Sequence, residues 1–266
     1  MFIINKKIII FLGVVLLVGI ILVINQLLIK PESLPPKSGT GLENKVDDKS
    51  SSGNGSVIIE TVPTLPVKNY PRYTGRPINE VRFGQGFSAP EAAIEKKRGD
   101  LKVLSVILSA NPVGPDGMND WIAVGVIKKS FNDYEGARDA WEYANILYPA
   151  NGLSFTNLGN LYGFYLHDNA KAEFNLKKAI ANDPYQTSYY LGLADFYKNV
   201  YVSKESEVPK VILEGMKTIK DVNLVLYLAS YYRDEGDKAN ALKYYQEVLK
   251  ISPNQAGIQE EVDRLK

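Results

Sequence analysis

The sequence predicts an all-α chain of stacked helix-turn-helix repeats, preceded by one apolar helix and an unstructured linker, and three observations predict it. Prolines 149, 184 and 253 each close a segment that holds two amphipathic helical patterns. The first interval, 184 minus 149, is 35 and the second, 253 minus 184, is 69, or two units of about 34, a period that belongs to stacked helix pairs. Small residues recur inside these patterns where two helices have to cross closely. Finally, residues 8–29 are uncharged and almost wholly apolar, with Asn25 and Gln26 as polar exceptions.

Residues 1–30 are read as an N-terminal tail and a transmembrane helix. At ~1.5 Å per residue the 22 residues from Ile8 to Ile29 span roughly 33 Å, enough for a hydrocarbon core of ~30 Å. Lys30 and Pro31 stop the run, and no small-residue cleavage site follows it, so it is expected to remain as a signal-anchor. Lys6, Lys7 and the terminal amine precede it with no acid among them, which favours the N-terminus inside and the remainder on the extracytoplasmic side. The expected localisation is that of a single-pass membrane protein.

Residues 31–56 hold Pro31, Pro35, Pro36 and the run from Ser50 to Ser56, with almost no large apolar side chain. Such a stretch cannot bury enough surface to offset its ordering entropy and is expected to be a disordered tether. In residues 57–87, Pro63, Pro66, Pro71 and Pro77 exclude helix and most sheet, while Tyr70, Tyr73, Phe83 and Phe87 supply rings. The reading is an extended strap whose aromatics pack onto the helices that follow. Residues 88–117 read as a shortened helix pair, with Gly99 and Asp100 in its turn and Val103, Leu104 and Ile107 apolar.

Four longer units follow, at 118–151, 152–186, 187–221 and 222–255. The first carries Trp121, Val124, Gly125, Ala137, Trp141, Ala144 and Pro149; the second Phe155, Leu158, Gly159, Tyr162, Ala172, Leu176, Ala179 and Pro184. In the third, Tyr190, Leu193, Ala194 and Tyr197 are followed by Val208 and Pro209, which disturb the turn before Leu213 and Met216. The fourth has Val225, Leu228, Ala229, Tyr232, Ala241, Tyr245, Val248 and Pro253, with Gly236 and Asp237 in its turn. Residues 256–266 place Ile258, Val262 and Leu265 on one face, as a capping helix requires.

At these spacings the chain resembles the tetratricopeptide-repeat family, over about 118–255 and more weakly over 88–112. The resemblance implies a right-handed α-solenoid that binds an extended peptide or a partner helix in a concave groove lined by the first helix of each repeat. Carried over by position, that groove would show Asn119, Ile122, Val126 and Lys129 from the first repeat and Thr156, Asn160, Gly163 and Phe164 from the second. The third would add Leu191, Asp195 and Lys198, and the fourth Asn223, Ser230 and Arg233. Lys129, Lys198 and Arg233 fall at equivalent places and would form a sparse basic row able to steer an acidic segment. The set that grips C-terminal carboxylates in one branch of the family is not reproduced: Asn157 and Asn160 fit it, but Ile122, Val126, Ser188 and Gly192 do not.

Composition removes most other classes. Lys+Arg 31 against Asp+Glu 30 gives a net charge of +1, which argues against nucleic acid as a partner. With no cysteine and one histidine, thiol chemistry and multi-His metal centres are excluded, and no cofactor is expected. His167 lies in the turn Leu166-His167-Asp168-Asn169, where no motif places a serine beside it. The expected function is therefore non-catalytic: a membrane-anchored scaffold or adaptor for a protein or peptide ligand. The alternatives are a structural part of a cell-envelope assembly, such as pilus, secretion or wall-synthesis machinery, or an adaptor facing the cytoplasm. The sequence leaves the oligomeric state open.

Overall fold

The computed structural model of the chain describes residues 70–114 and 116–266. The apolar run 8–29, the linker 31–56 and residues 57–69 of the strap lie outside them. Among the described residues no helix is long and apolar enough to cross a membrane.

The described part is all-helical and repeat-like. After the segment 70–90, which holds no helix or strand, come α1 (Glu91–Ala110), α2 (Gly117–Ser130), α3 (Tyr134–Leu147), α4 (Gly152–Phe164) and α5 (Asn169–Asn182). They are followed by α6 (Thr187–Asn199), a 3-10 turn at Val202–Glu207, α7 (Val208–Thr218), α8 (Val222–Asp234), α9 (Lys238–Ile251) and α10 (Ile258–Leu265). Each helix packs on the next, most extensively within the hairpins α2/α3, α4/α5, α6/α7 and α8/α9. The first helices of successive hairpins also meet, α4 on α6 and α6 on α8, so they form a row of their own.

The period is set by the first helices. They begin at 117, 152, 187 and 222, and 152 minus 117, 187 minus 152 and 222 minus 187 are all 35. The turns inside the first, second and fourth hairpins share one device. Asn132 (φ +59°), His167 (φ +56°) and Gly236 (φ +78°) take the left-handed conformation that reverses the chain. The aspartate that follows each of them, Asp133, Asp168 or Asp237, caps the second helix by accepting from the backbone N–H of Gly136, Lys171 or Asn240. In the third hairpin the 3-10 turn replaces this device and Pro209 sits in the first turn of α7, where its missing N–H costs nothing. The apolar face of α7 is consequently Val208 and Ile212 with Gly215. Leu213, which the sequence suggested for the core, is exposed, and Met216 is half-buried.

Close crossings explain the small residues. A Cβ on Gly125 would lie 2.2 Å from the Trp141 indole nitrogen, and one on Gly159 would lie 2.5 Å from Leu176. The indole N–H of Trp141 donates to the Ile122 carbonyl at 3.1 Å, which locks α3 onto α2. Trp121, Leu158, Leu176, Tyr197, Leu228 and Tyr245 are among the most deeply buried side chains, so the repeat positions read from the sequence form the core.

The N-terminal end corrects one expectation. Residues 88–117 do not fold as a helix pair: α1 is one unbroken helix of 20 residues, and Gly99 and Asp100 lie on its exposed side. A glycine in an exposed helix interior costs only about 1 kcal/mol, and Ile94, Leu101 and Leu108, buried against α2 and its neighbours, outweigh it. The place of the missing first helix is taken by the strap. Tyr73 packs against Trp121 (4.8 Å between ring centroids) and Tyr143 (5.3 Å), while Phe83 and Phe87 stack at 4.7 Å and both meet Phe131 edge-on. The C-terminal end is closed by α10, which buries Ile258 and Val262.

Candidate functional site

The open side of the first helices is the candidate binding surface. It is stiffened by three cross-links between α6 and α8, spaced along their length. Thr187 donates its hydroxyl to Asp221 (2.6 Å), the Tyr227 hydroxyl donates to Asp195 (2.8 Å) and the Lys198 ammonium meets Asp234 (2.8 Å). Burial pushes the Asp195 carboxyl above its ordinary range, against the lowering effect of the Tyr227 hydrogen bond, and burial likewise pushes the Tyr227 phenol up. Between α4 and α6 the closeness comes from glycine: a Cβ on Gly163 would lie 2.8 Å from the Phe196 ring and one on Gly152 would lie 2.5 Å from Tyr189.

The sequence-derived groove residues separate into three groups. Asn119, Val126 and Asn223 are exposed, with Val126 at 50%. Thr156, Asn160, Phe164, Leu191 and Ser230 are half-buried on the same side, and Thr156 turns its hydroxyl back to the Gly152 carbonyl. Ile122 is buried and Gly163 packs against Phe196 of the neighbouring helix, so neither belongs to the open side.

Lys129, Lys198 and Arg233, placed in a row by the repeat, are each engaged. The Lys129 ammonium lies 4.6 Å from the centre of the Tyr165 ring. Lys198 and Arg233 converge on one carboxylate, Asp234, and Arg233 also donates to the Tyr245 hydroxyl (3.0 Å) and stands 3.9 Å from Glu261 of α10. Glu261 in turn binds Arg264. The result is an alternating chain of charges across α6, α8 and α10. Asp234 and Glu261 each bind one cation of their own helix and one from another, Lys198 of α6 and Arg233 of α8, and the second kind of link is not visible in sequence order.

Asn157 and Asn160 stand apart from these groups. They lie one turn apart on α4, both half-buried, and among the described residues neither side chain has a hydrogen-bond partner. Leu153 (43% exposed) lies one turn before Asn157 on the same helix. A carboxamide both donates and accepts, so this pair presents up to four unused donors and as many acceptor sites.

A second concavity, of about 460 Å³, lies where the strap crosses α1 and α2, with Tyr70, Tyr73, Ser105, Trp121 and Tyr143 on its walls. Tyr73, Trp121 and Tyr143 already pack on one another within 5.3 Å, leaving little ring face for a ligand. Among the described residues there is no group of three or more His, Asp or Glu side chains placed to hold a metal ion. His167 is exposed in its left-handed turn. No protein-family model matches this sequence, and no curated protein matches it significantly.

Proposed function

We propose that the chain is a tetratricopeptide-repeat solenoid, anchored by residues 8–29 and displayed outside the cytoplasm, that recruits another protein by binding an extended segment of it along the concave side of α2, α4, α6 and α8. The observation that carries this reading is the pair Asn157 and Asn160, half-buried and without intrachain hydrogen-bond partners among the described residues, one turn along α4 from the exposed, apolar Leu153. An extended peptide exposes one N–H and one C=O per residue, and carboxamides satisfy both without demanding a particular side chain. Affinity in this scheme comes from backbone recognition and apolar contact. The cations contribute less, since Lys198 and Arg233 share Asp234 and exposed pairs of this kind are worth about 0–1 kcal/mol. The reading is non-catalytic and calls for no cofactor.

Crosslinking of the full-length protein in its native membrane, followed by mass spectrometry, tests it. The wild type is expected to capture a protein partner that the double variant Asn157→Ala, Asn160→Ala loses, while Lys129→Glu, Lys198→Glu and Arg233→Glu together weaken capture less. Capture unchanged in the asparagine variant would refute the proposal.

A further inference from the structure

Helix α1 has one side packed and one side bare. Ile94, Leu101 and Leu108 face the core, and on the opposite side Val103 (59% exposed), Val106 (71%) and Ile107 (46%) stand in solvent within one turn of each other. Earlier on that same side come Ala92, Lys96, Gly99 and Asp100, all exposed. A Cβ built on Gly99 meets nothing within 4 Å, so a second backbone has free access there.

Charge adds direction to the surface. Arg98 pairs with Glu91 and Glu95 on its flank of the helix, whereas Lys96 and Asp100 have no ion-pair or hydrogen-bond partner among the described residues. They are four apart in the order cation then acid, the weaker of the two orders for pairing within a helix. They are therefore an unmatched cation and an unmatched anion, symmetric about residue 98.

We propose that this face of α1 is the contact between two copies of the chain, with the two α1 helices packed antiparallel about a two-fold axis beside Gly99. An axis midway between Lys96 and Asp100 sets each Lys96 against the other copy's Asp100, forming two equivalent ion pairs. Counted about residue 98, the same operation sets Val103 of one copy against the small Ala93 of the other and Val106 against Pro90 at the start of the other copy's α1. Cation meets anion, and Val103 meets Ala93, under one symmetry operation, which is the self-complementarity an isologous contact requires. A single pair of 20-residue helices, each about 30 Å long, offers less than the roughly 1,600 Å² of a standard stable interface. The dimer is accordingly weak and reversible, and the side of the array that carries Asn157 and Asn160 is not used in it.

The chain has no cysteine, so a single introduced thiol reports without interference. The full-length protein in its native membrane is treated with a mild oxidant as Gly99→Cys and, for comparison, as Lys178→Cys, an exposed position on α5. Because a disulfide needs Cβ atoms within about 4 Å, the Gly99→Cys homodimer is expected to form about ten-fold faster or more than the Lys178→Cys one. In the Gly99→Cys background, Lys96→Asp or Asp100→Lys alone slows the crosslink, and the two together restore it. Equal rates at the two positions, no recovery in the double exchange, or a crosslinked product that contains a different protein would each overturn the proposal.

Discussion

The Lys128 ammonium lies 3.5 Å from the Asp133 carboxylate, and each side chain is only 1% exposed. Lys128 stands where the next three repeats carry Tyr162, Tyr197 and Tyr232. Tyr162 and Tyr197 give their hydroxyls to Glu142 and Glu173 on the preceding second helix. The first hairpin has the strap in front of it, and a lysine suits that neighbour because its ammonium donates to the carbonyls of Pro77 (3.1 Å) and Glu80 (2.9 Å). Arg76 of the strap closes the cluster by binding Asp133, the same residue that caps α3. One aspartate thus serves as helix cap, partner of a buried lysine and anchor of the strap.

Removing one member of this cluster is expected to be costly. Lys128→Ala leaves the two strap carbonyls without their donor and Asp133 with Arg76 as its one remaining cation, and breaking a buried pair in this way typically costs about 3–5 kcal/mol. Urea unfolding measures the loss, and limited trypsin digestion is expected to cut faster at Arg72 and Arg82 once the strap is released.

Acid weakens the junction between the second and third hairpins through Glu173, which lies on α5 and binds Tyr197 and Lys204. Burial pushes this carboxyl up, but hydrogen bonds from Lys177, Lys204 and Tyr197 outweigh burial and hold it down at about 2. A carboxyl lowered on folding gives stability that is complete above its unfolded value, near 4.5, and is lost as pH falls through about 2. Between those values the Glu173→Gln variant is expected to lose less stability than wild type, as followed by thermal unfolding at successive pH values.

At the alkaline end the tyrosines set the limit. Burial raises the phenols of Tyr143, Tyr189 and Tyr190 above 10, so the unfolded chain loses those protons first. Their contribution is whole below pH 10 and declines above it. Absorbance at 295 nm is expected to show tyrosine ionisation at higher pH in the native protein than in urea.

Two local features predict smaller, position-specific effects. Gly125→Ala drives a methyl into the Trp141 indole and is expected to cost about 1–3 kcal/mol or more, as overpacking does. Asp237→Ala removes the cap of α9, for about 1 kcal/mol. Chemical denaturation of each variant gives both values, and the order of the two is the test.

How far the sequence reveals this architecture depends on whether a residue acts within its own hairpin. Gly125 with Trp141, Gly159 with Leu176, and the run from Val225 to Val248 could be read because period and size alone place them. Gly99 and Asp100 misled, since a Gly-Asp pair marks the turn of the fourth hairpin, and only the spacing of Ile94, Leu101 and Leu108 tells that the helix continues. The cluster of Arg76, Lys128 and Asp133 was hidden because its members lie 52 and 57 positions from Arg76 and make sense only once the strap is folded back. The basic row shows the opposite failure: Lys129, Lys198 and Arg233 are periodic in sequence, yet a tyrosine ring and the carboxylates of Asp234 and Glu261 already engage them.

The most direct test of the proposed recruitment surface is site-specific photo-crosslinking of the full-length protein in its native cell, with a photoreactive residue placed either at Asn160 on the open side of α4 or at Lys178 on the exposed side of α5. The account predicts a discrete protein adduct from position 160 and none of that size from position 178. An adduct from position 178 alone, or the same adduct from both, would contradict it.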